Sequence, residues 1–258
     1  MKSFYKSELI SLEISYITNT GRYRRRNEDS ISIATDVFSC ISMEKPSYKV
    51  LTLNPPVFLA VADGMGGHPC GDKASSLALE ILTKETPLEV EDLGSALEKA
   101  KNAFEDYVSK KGECFGMGTV VAGVYLYPEY LIAFNVGDCR VYRFRDRLEK
   151  ITKDHSLLQE LLDKGFVEHD IENLYIRNVV TSAIIGGYSE KPKFFGVKKE
   201  LKKGDVFLIC SDGLWGELES QEIESFIKTG IKEAGNKLFA KAYSKGSDNI
   251  SFIVFKVL

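Results

Sequence analysis

The sequence predicts an α+β fold, and three observations predict it. Helical periodicity comes in consecutive groups, over residues 71–110 and roughly 220–244, between runs of strand-like sequence; it does not alternate with single strands as in a doubly wound parallel sheet. The connection Tyr127-Pro128-Glu129-Tyr130 is short and carries a proline, so the strands on either side form an antiparallel hairpin. Val57 to Ala62 and Val206 to Cys210 are apolar at every position, the pattern of strands buried in the interior.

Taken in order, Leu9 to Ile17 is the first strand-like run. Residues 36–56 carry Pro46, Asn54, Pro55 and Pro56 and are read as an irregular insertion before the buried strand at Val57. Ala74, Leu77, Ala78, Ile81 and Leu82 make one amphipathic helix; Leu93, Ala96, Leu97, Ala100, Phe104, Tyr107 and Val108 make the next, and each needs a surface beneath it. Thr119 to Leu126, Leu131 to Val136 and Arg140 to Phe144 follow as strands. Residues 154–178 read as a short helix and then a polar stretch without a period, a candidate mobile flap holding Gly165, His169 and the charged run Glu168 to Glu172. Val206 to Cys210 and Ile250 to Val257 are the last strands, and there is no repeat or low-complexity tract. One domain over residues 1–258 is expected.

With 44% apolar residues the chain has enough hydrocarbon for a core, which excludes disorder. With 34 Lys and Arg against 37 Asp and Glu, it lacks the basic surface that binding to a nucleic-acid backbone requires. The five cysteines, Cys40, Cys70, Cys114, Cys139 and Cys210, include no Cys-x-x-Cys pair and read as reduced, mostly buried thiols. Lys2, Lys6, Glu8 and Glu13 break any signal-peptide core, and the longest apolar run, Val57 to Ala62, is far short of a membrane span. The expectation is a soluble, cytoplasmic protein with no nucleic-acid or membrane partner, acting as a monomer.

Chemistry shows in where the aspartates fall. Asp63 ends the first fully apolar strand and Asp212 ends the second, after Ser211, each before a glycine, Gly64 and Gly213. A single Asp-Gly is a turn signal; two, each closing a buried strand, place carboxylates at the rim of a core, with a glycine whose carbonyl can approach a ligand. Glu28 and Asp29 follow the first strand, Asp138 lies in Asn135-Val136-Gly137-Asp138, and Asp248 precedes the last strand. Converging carboxylates repel unless a cation lies between them, and ligation by oxygen alone suits Mg²⁺ or Mn²⁺ over Zn²⁺. The bland alternative is a solvated acidic rim. The basic run Arg22-Tyr23-Arg24-Arg25-Arg26 is either a solvated loop, a nucleic-acid or targeting patch, or the source of a guanidinium fork for a phosphate monoester.

These residues resemble a known family. Gly21-x-x-Arg24-x-x-Asn27-Glu28-Asp29-Ser30, Asp63-Gly-Met-Gly-Gly-His68 with Gly71 and Ala74-Ser75, Gly118-Thr119, Asn135-Val-Gly-Asp138-x-Arg140-Val-Tyr142, Thr152-x-Asp154-His155-Ser156, Cys210-Ser-Asp-Gly-Leu-Trp215 and Ser247-Asp248-Asn249-Ile250 are similar, in order, to the signature blocks of the bacterial PPM/protein phosphatase 2C metal-dependent Ser/Thr phosphatases. The resemblance implies a central antiparallel β-sandwich with helices on both faces, four layers in αββα order. It implies two Mn²⁺ or Mg²⁺ ions bridged by Asp63, with the Gly64 carbonyl, Asp212 and Asp248 as further ligands. Glu28 and Asp29 would hold metal-bound water or a metal, and Asp138 would help hold a weaker third ion. Arg24 would grip the substrate phosphate, which a metal-bridging hydroxide attacks directly without a phosphoenzyme.

The implied partners are phosphorylated proteins, including a Ser/Thr kinase or its substrates. Met65 stands where animal members of the family have a histidine proposed as general acid, leaving His68 or a metal-bound water for that role. Ser182 stands where an arginine is usual, and residues 36–56 are longer than the usual connection. Two other readings use the same residues: a weakly active module that reads phosphorylation, and a phosphomonoesterase for small molecules.

Overall fold

The computed structural model describes residues 8–166, 176 and 179–258. His169, the charged run Glu168 to Glu172 and most of the second half of the expected flap lie outside the described residues.

In chain order the elements are β1 (Ile10–Asn19), β2 (Ser30–Ile33), β3 (Asp36–Phe38), β4 (Ser47–Leu53), β5 (Val57–Gly64), α1 (Gly71–Leu82), α2 (Asp92–Lys110), β6 (Gly118–Leu126), β7 (Tyr130–Val136), β8 (Arg140–Phe144), β9 (Leu148–Lys150), α3 (Leu157–Asp163), β10 (Ile184–Ile185), β11 (Phe195–Glu200), β12 (Val206–Cys210), α4 (Asp212–Trp215), α5 (Ser220–Ile227), α6 (Ile231–Lys245) and β13 (Ile250–Val257). They build two antiparallel sheets. One runs β4-β1-β13-β12-β8-β9; the other runs β11-β7-β6-β5-β2-β3, with β10 paired to the start of β6 where β7 has left it.

The two-residue period of a strand explains why the long strands are apolar throughout. Val57, Leu59 and Val61 of β5 meet Phe207 and Ile209 of β12 and Ile253, Phe255 and Val257 of β13 in the core between the sheets. The alternate residues Phe58, Ala60 and Ala62 pack under α1 and α2, against Ala74, Ala78, Leu79, Leu97, Ala100 and Phe104. On the other side Leu208, Phe252 and Val254 pack under α4, α5 and α6, against Leu214, Ile223, Ile227 and Leu238. Each sheet is therefore covered on both faces, and the layers run helix, sheet, sheet, helix. Each fully buried Leu, Ile or Phe contributes about 1.5–3 kcal/mol of burial free energy.

Two expectations are corrected. Residues 36–56 are not irregular: they hold β3 and β4, and β4 pairs with β1 from Ile10↔Leu53 to Tyr16↔Ser47 as the outer strand of its sheet. Its prolines bound it: Pro46 stands just before the strand, and Pro55 and Pro56 lie just beyond it, where no ladder hydrogen bond is lost. As an edge strand it exposes Tyr48 and Val50, so it lacks the apolar alternation that identifies a strand. The cysteines are not all reduced either, since Cys70 and Cys114 are joined in a disulfide, leaving Cys139 and Cys210 buried and Cys40 exposed as free thiols. Among the described residues no helix is long and apolar enough to cross a membrane.

Candidate metal centre

Strand parity builds the site. The inward positions of β5 are Val57, Leu59 and Val61, and the next is Asp63; in β2 they are Ile31 and Ile33, and the one before is Asp29. Ser30 pairs with Ala62, so the register sets Asp29 opposite Asp63, and the Gly64 N–H continues the ladder to the Glu28 carbonyl at 3.1 Å. By the same period Ser211 follows Phe207 and Ile209, and Ser251 precedes Ile253 and Phe255. At one end of the sandwich the interior thus changes from hydrocarbon to carboxylates and hydroxyls.

Asp29 is 1% exposed. Its Oδ2 accepts from Ser211 Oγ at 2.9 Å, and its N–H donates to Asn27 Oδ1 at 3.2 Å. Thr18 Oγ1 accepts from Asn27 Nδ2 at 2.7 Å and lies 2.9 Å from Ser251 Oγ, which ties the hydroxyl layer together. In front of this layer a cavity of about 210 Å³ is lined by Arg24, Glu28, Asp63, Gly64, Asp138, Asp212 and Asp248. The structure brings together Arg24 and the expected metal ligands, with Asp29 buried just behind the others, whereas His68 and Ser182 line the neighbouring recess. The acidic cavity is not the largest. Recesses of about 610 and 700 Å³ lie beside the 181–194 segment, and the larger one shares Met65 and Val180 with the acidic site. Chemistry, not volume, distinguishes the small one.

Both Asp-Gly glycines are needed for close approach, though neither makes a free turn. A Cβ on Gly64 would run into the Gly71 carbonyl oxygen, and one on Gly213 would run into that of Asn249. Asp212 is the first residue of the one-turn helix α4, not the last residue of a strand. Asn249 had entered only as part of a motif; its side chain holds the loop from Thr20 to Glu28 by three backbone bonds. Its Oδ1 accepts from Glu28 N at 2.9 Å, and its Nδ2 donates to the carbonyls of Thr20 at 2.8 Å and Arg26 at 2.9 Å. Ser75 Oγ adds a bond to the Glu28 carbonyl at 2.6 Å. No periodicity marks such residues, because their partners are distant backbone atoms.

Of the basic run, Arg24 alone lines the acidic cavity. Its Nη2 donates to Asp248 Oδ2 at 2.6 Å, and that hydrogen bond raises its pKa further. Arg22 turns away to the Ser244 carbonyl, and Arg25 and Arg26 line a separate recess. The loop at Asp138 is pinned from below: Asn135 Nδ2 donates to the carbonyls of Gly137 and Lys153, and His155 Nδ1 accepts from Gly137 N at 3.1 Å. That bond gives His155 a structural role, and burial lowers its pKa. Arg140 donates to both oxygens of Asp154 and stacks 3.5 Å from the Trp215 ring centre. His68 Nδ1 lies 2.8 Å from the Gly116 carbonyl oxygen.

The electrostatics favour a cation. Burial first, and then the charge of neighbouring carboxylates, raises the pKa of Asp63, Asp138 and Asp212; burial and Asp212 raise Asp29 to about 7 against two opposing serine hydrogen bonds. Among the described residues Oδ1 of Asp29 and Oδ1 of Asp212 are buried with no hydrogen-bond partner, a costly condition that a bound cation would relieve. As the side chains stand, no three His, Cys, Asp or Glu groups among the described residues are placed to hold a metal ion together, and Asp248 is held by Arg24. The donors are all oxygen, and they fit a hard divalent ion.

Known proteins share this sequence pattern and fold. The profile described as Protein phosphatase 2C matches residues 20–160. A serine/threonine phosphatase, stp, of Listeria monocytogenes serotype 4b is 30% identical over 257 residues, covering 94% of this chain and 95% of that protein. The crystal structure of Stp1 from Staphylococcus aureus superposes with a TM-score of 0.80 at 26% identity, covering 96% of this chain and 95% of that one. The catalytic domain of PstP in complex with two manganese ions superposes with a TM-score of 0.74, also at 26% identity, over 96% of this chain and 99% of that one. With sandwich and sequence in agreement over nearly the whole chain, the protein belongs to the protein phosphatase 2C family of metal-dependent serine/threonine phosphatases.

Proposed function

We propose that this enzyme hydrolyses phosphoserine and phosphothreonine in proteins with two Mn²⁺ or Mg²⁺ ions held by Asp63, the Gly64 carbonyl, Asp212 and Asp248, with Glu28 and Asp29 supporting them and Asp138 holding a weaker third ion. The observation that carries the assignment is the pair of unpartnered, buried carboxylate oxygens, one on Asp212 in the lining of a cavity that also contains a guanidinium and one on Asp29 just behind it. Bound there, the cations supply an activated water and neutralise charge on the phosphoryl oxygens.

The chain's own residues do the rest. Asp29, fixed by Ser211, orients the buried side of the cluster, and the bonds from Asn249 hold Glu28 and Arg24 on one loop. A phosphate oxygen can replace Asp248 as the partner of the Arg24 guanidinium, whose fork suits a phosphate monoester. The recess of about 700 Å³ next to the cavity gives room for the residues flanking a phosphorylated side chain, which favours a protein over a small phosphate ester as substrate. Phosphorylated proteins, among them a Ser/Thr kinase or its substrates, are the proposed partners.

The test is hydrolysis of phosphothreonine, phosphoserine and phosphotyrosine peptides with Mn²⁺, with Mg²⁺ and with chelator. Turnover of the first two that disappears in chelator is expected. Full activity in chelator, or a trapped cysteinyl phosphate, would overturn the metal-site assignment.

A further inference from the structure

The loop from Gly64 to Cys70 carries Gly64, Met65 and Gly66 into the acidic cavity, yet little of its second half is held by the backbone. Gly64 N and Met65 N bond outward, to the carbonyls of Glu28 and Gly118. Beyond them His68 N turns back onto the Met65 carbonyl, and nothing lies within 4 Å of the place a Cβ would take on Gly67. Two side-chain ties close the loop onto the turn at Gly112–Cys114 and its continuation: the contact of His68 with the Gly116 carbonyl and the Cys70–Cys114 disulfide, which joins residues 44 apart. Cys70 also has φ +58°, a left-handed conformation that residues with a Cβ adopt reluctantly and keep where their surroundings hold them.

The two cysteines differ in exposure. Cys70 is half-buried, whereas Cys114 is 3% exposed. Cys139 and Cys210 are buried within the cores, and Cys40 is exposed and free. A bond whose Cys70 end belongs to a half-buried residue, next to a loop that it fastens and that enters the acidic cavity, suits reversible exchange more than permanent stapling.

We propose that Cys70 and Cys114 are a redox modification site, at which a dithiol reductant opens the bond, frees the Gly64–Cys70 loop and weakens the binding of divalent cation and phosphate in the acidic cavity. This rests on the reading of that cavity as a metal and phosphate site. A reductant thiolate attacks Cys70 Sγ, the S–S bond breaks, and Cys114 leaves as a thiolate that takes a proton. The second thiol of the reductant then displaces Cys70 from the mixed disulfide. Two electrons and two protons pass to the protein, and the dithiol becomes a disulfide.

The experiment uses the full chain purified without reductant. Alkylation in denaturant followed by intact-mass measurement is expected to give three adducts as purified and five after native treatment with dithiothreitol. After anaerobic removal of the reductant, Mn²⁺ affinity by calorimetry and KM for a phosphothreonine peptide are each expected to weaken on the order of tenfold, and to recover on reoxidation. Cys114→Ala should match the reduced state and ignore dithiothreitol, while Cys40→Ala should behave as the unaltered protein; the reduction of the unaltered chain needs neither variant to fold. Five adducts before reduction, no native reduction, or unchanged affinity and KM once mass shows the bond cleaved would overturn the proposal. Failure of both redox states to bind Mn²⁺ would overturn the metal-site reading and this proposal with it, whereas binding that ignores the bond overturns this proposal alone.

Discussion

The two ends of the sandwich interior are built by the same strands and filled by opposite chemistry. At one end the inward positions are Leu12, Val57, Leu126 and Val257; at the other they become Asp29, Asp63, Ser211 and Ser251. β5 and β13 reach both ends, so along them the difference lies in side chains. The hydrocarbon end holds the sheets together, and the acidic end places carboxylates whose mutual repulsion a bound cation or a proton relieves. Stability and function are thus separated along one set of strands, not between domains.

The sharpest way to break this comparison is to exchange the consequences of the two ends. Asp212→Asn removes a proposed anionic ligand, and activity should fall by about 10²-fold or more while circular dichroism and thermal melting in chelator show an intact fold. Leu59→Ala, midway along β5, should do the reverse, costing about 2–5 kcal/mol in denaturant titration with kcat per folded molecule nearly unchanged. A folded Asp212→Asn enzyme with normal turnover would remove the functional half of the contrast.

Next in size is a dependence on pH seen in chelator. Burial and neighbouring charge raise Asp29 and Asp138 to about 7, far above the value an unfolded aspartate has. Between about pH 4 and 7 the folded protein therefore binds more protons than the unfolded one, so stability should decline as pH rises through that window and level off above it. Saturating Mn²⁺ should flatten the decline by holding the charged forms. A melting temperature in chelator that rises from pH 5 to 7.5 would contradict the raised carboxylate pKa values.

A smaller effect separates the residue proposed to grip the phosphate from those that hold the loop. Arg24→Ala should raise KM for phosphopeptide about tenfold with a lesser change in kcat, whereas Arg22→Ala and Arg25→Ala, which face elsewhere, should do little. Asn249→Ala, which frees three backbone groups of the same loop, should raise KM and also loosen Mn²⁺ binding, seen by calorimetry. The smallest expected effect is that of Asp138→Asn, several-fold lower turnover with the two tighter ion sites retained. Loss of those sites on metal titration would make Asp138 a core ligand.

Much of this was legible without coordinates, for identifiable reasons. Val57 to Ala62, Val206 to Cys210 and Ile250 to Val257 are apolar on both faces, and a run of that kind has few places to go except between two covered layers. The amphipathic stripes of α1 and α2 demanded a surface beneath them. An Asp placed two residues after Val61 inherits the inward direction of that residue, so sequence alone determined that carboxylates would stand at the rim of the core. The seven ordered motifs then indicated which chemistry that rim serves.

Tertiary structure decided what depends on partners far away along the chain. β4 exists because β1 offers it an edge, and its own exposed residues carry no burial signal. Asn249 acts on backbone atoms more than 220 residues distant, and Cys70 meets Cys114 only because the loop ahead of α1 and the turn before β6 fold to the same place. Periodicity reports how each side chain faces its own element. Which residues meet across elements is set by how the two sheets and their covering helices pack, and that is a property of the folded chain.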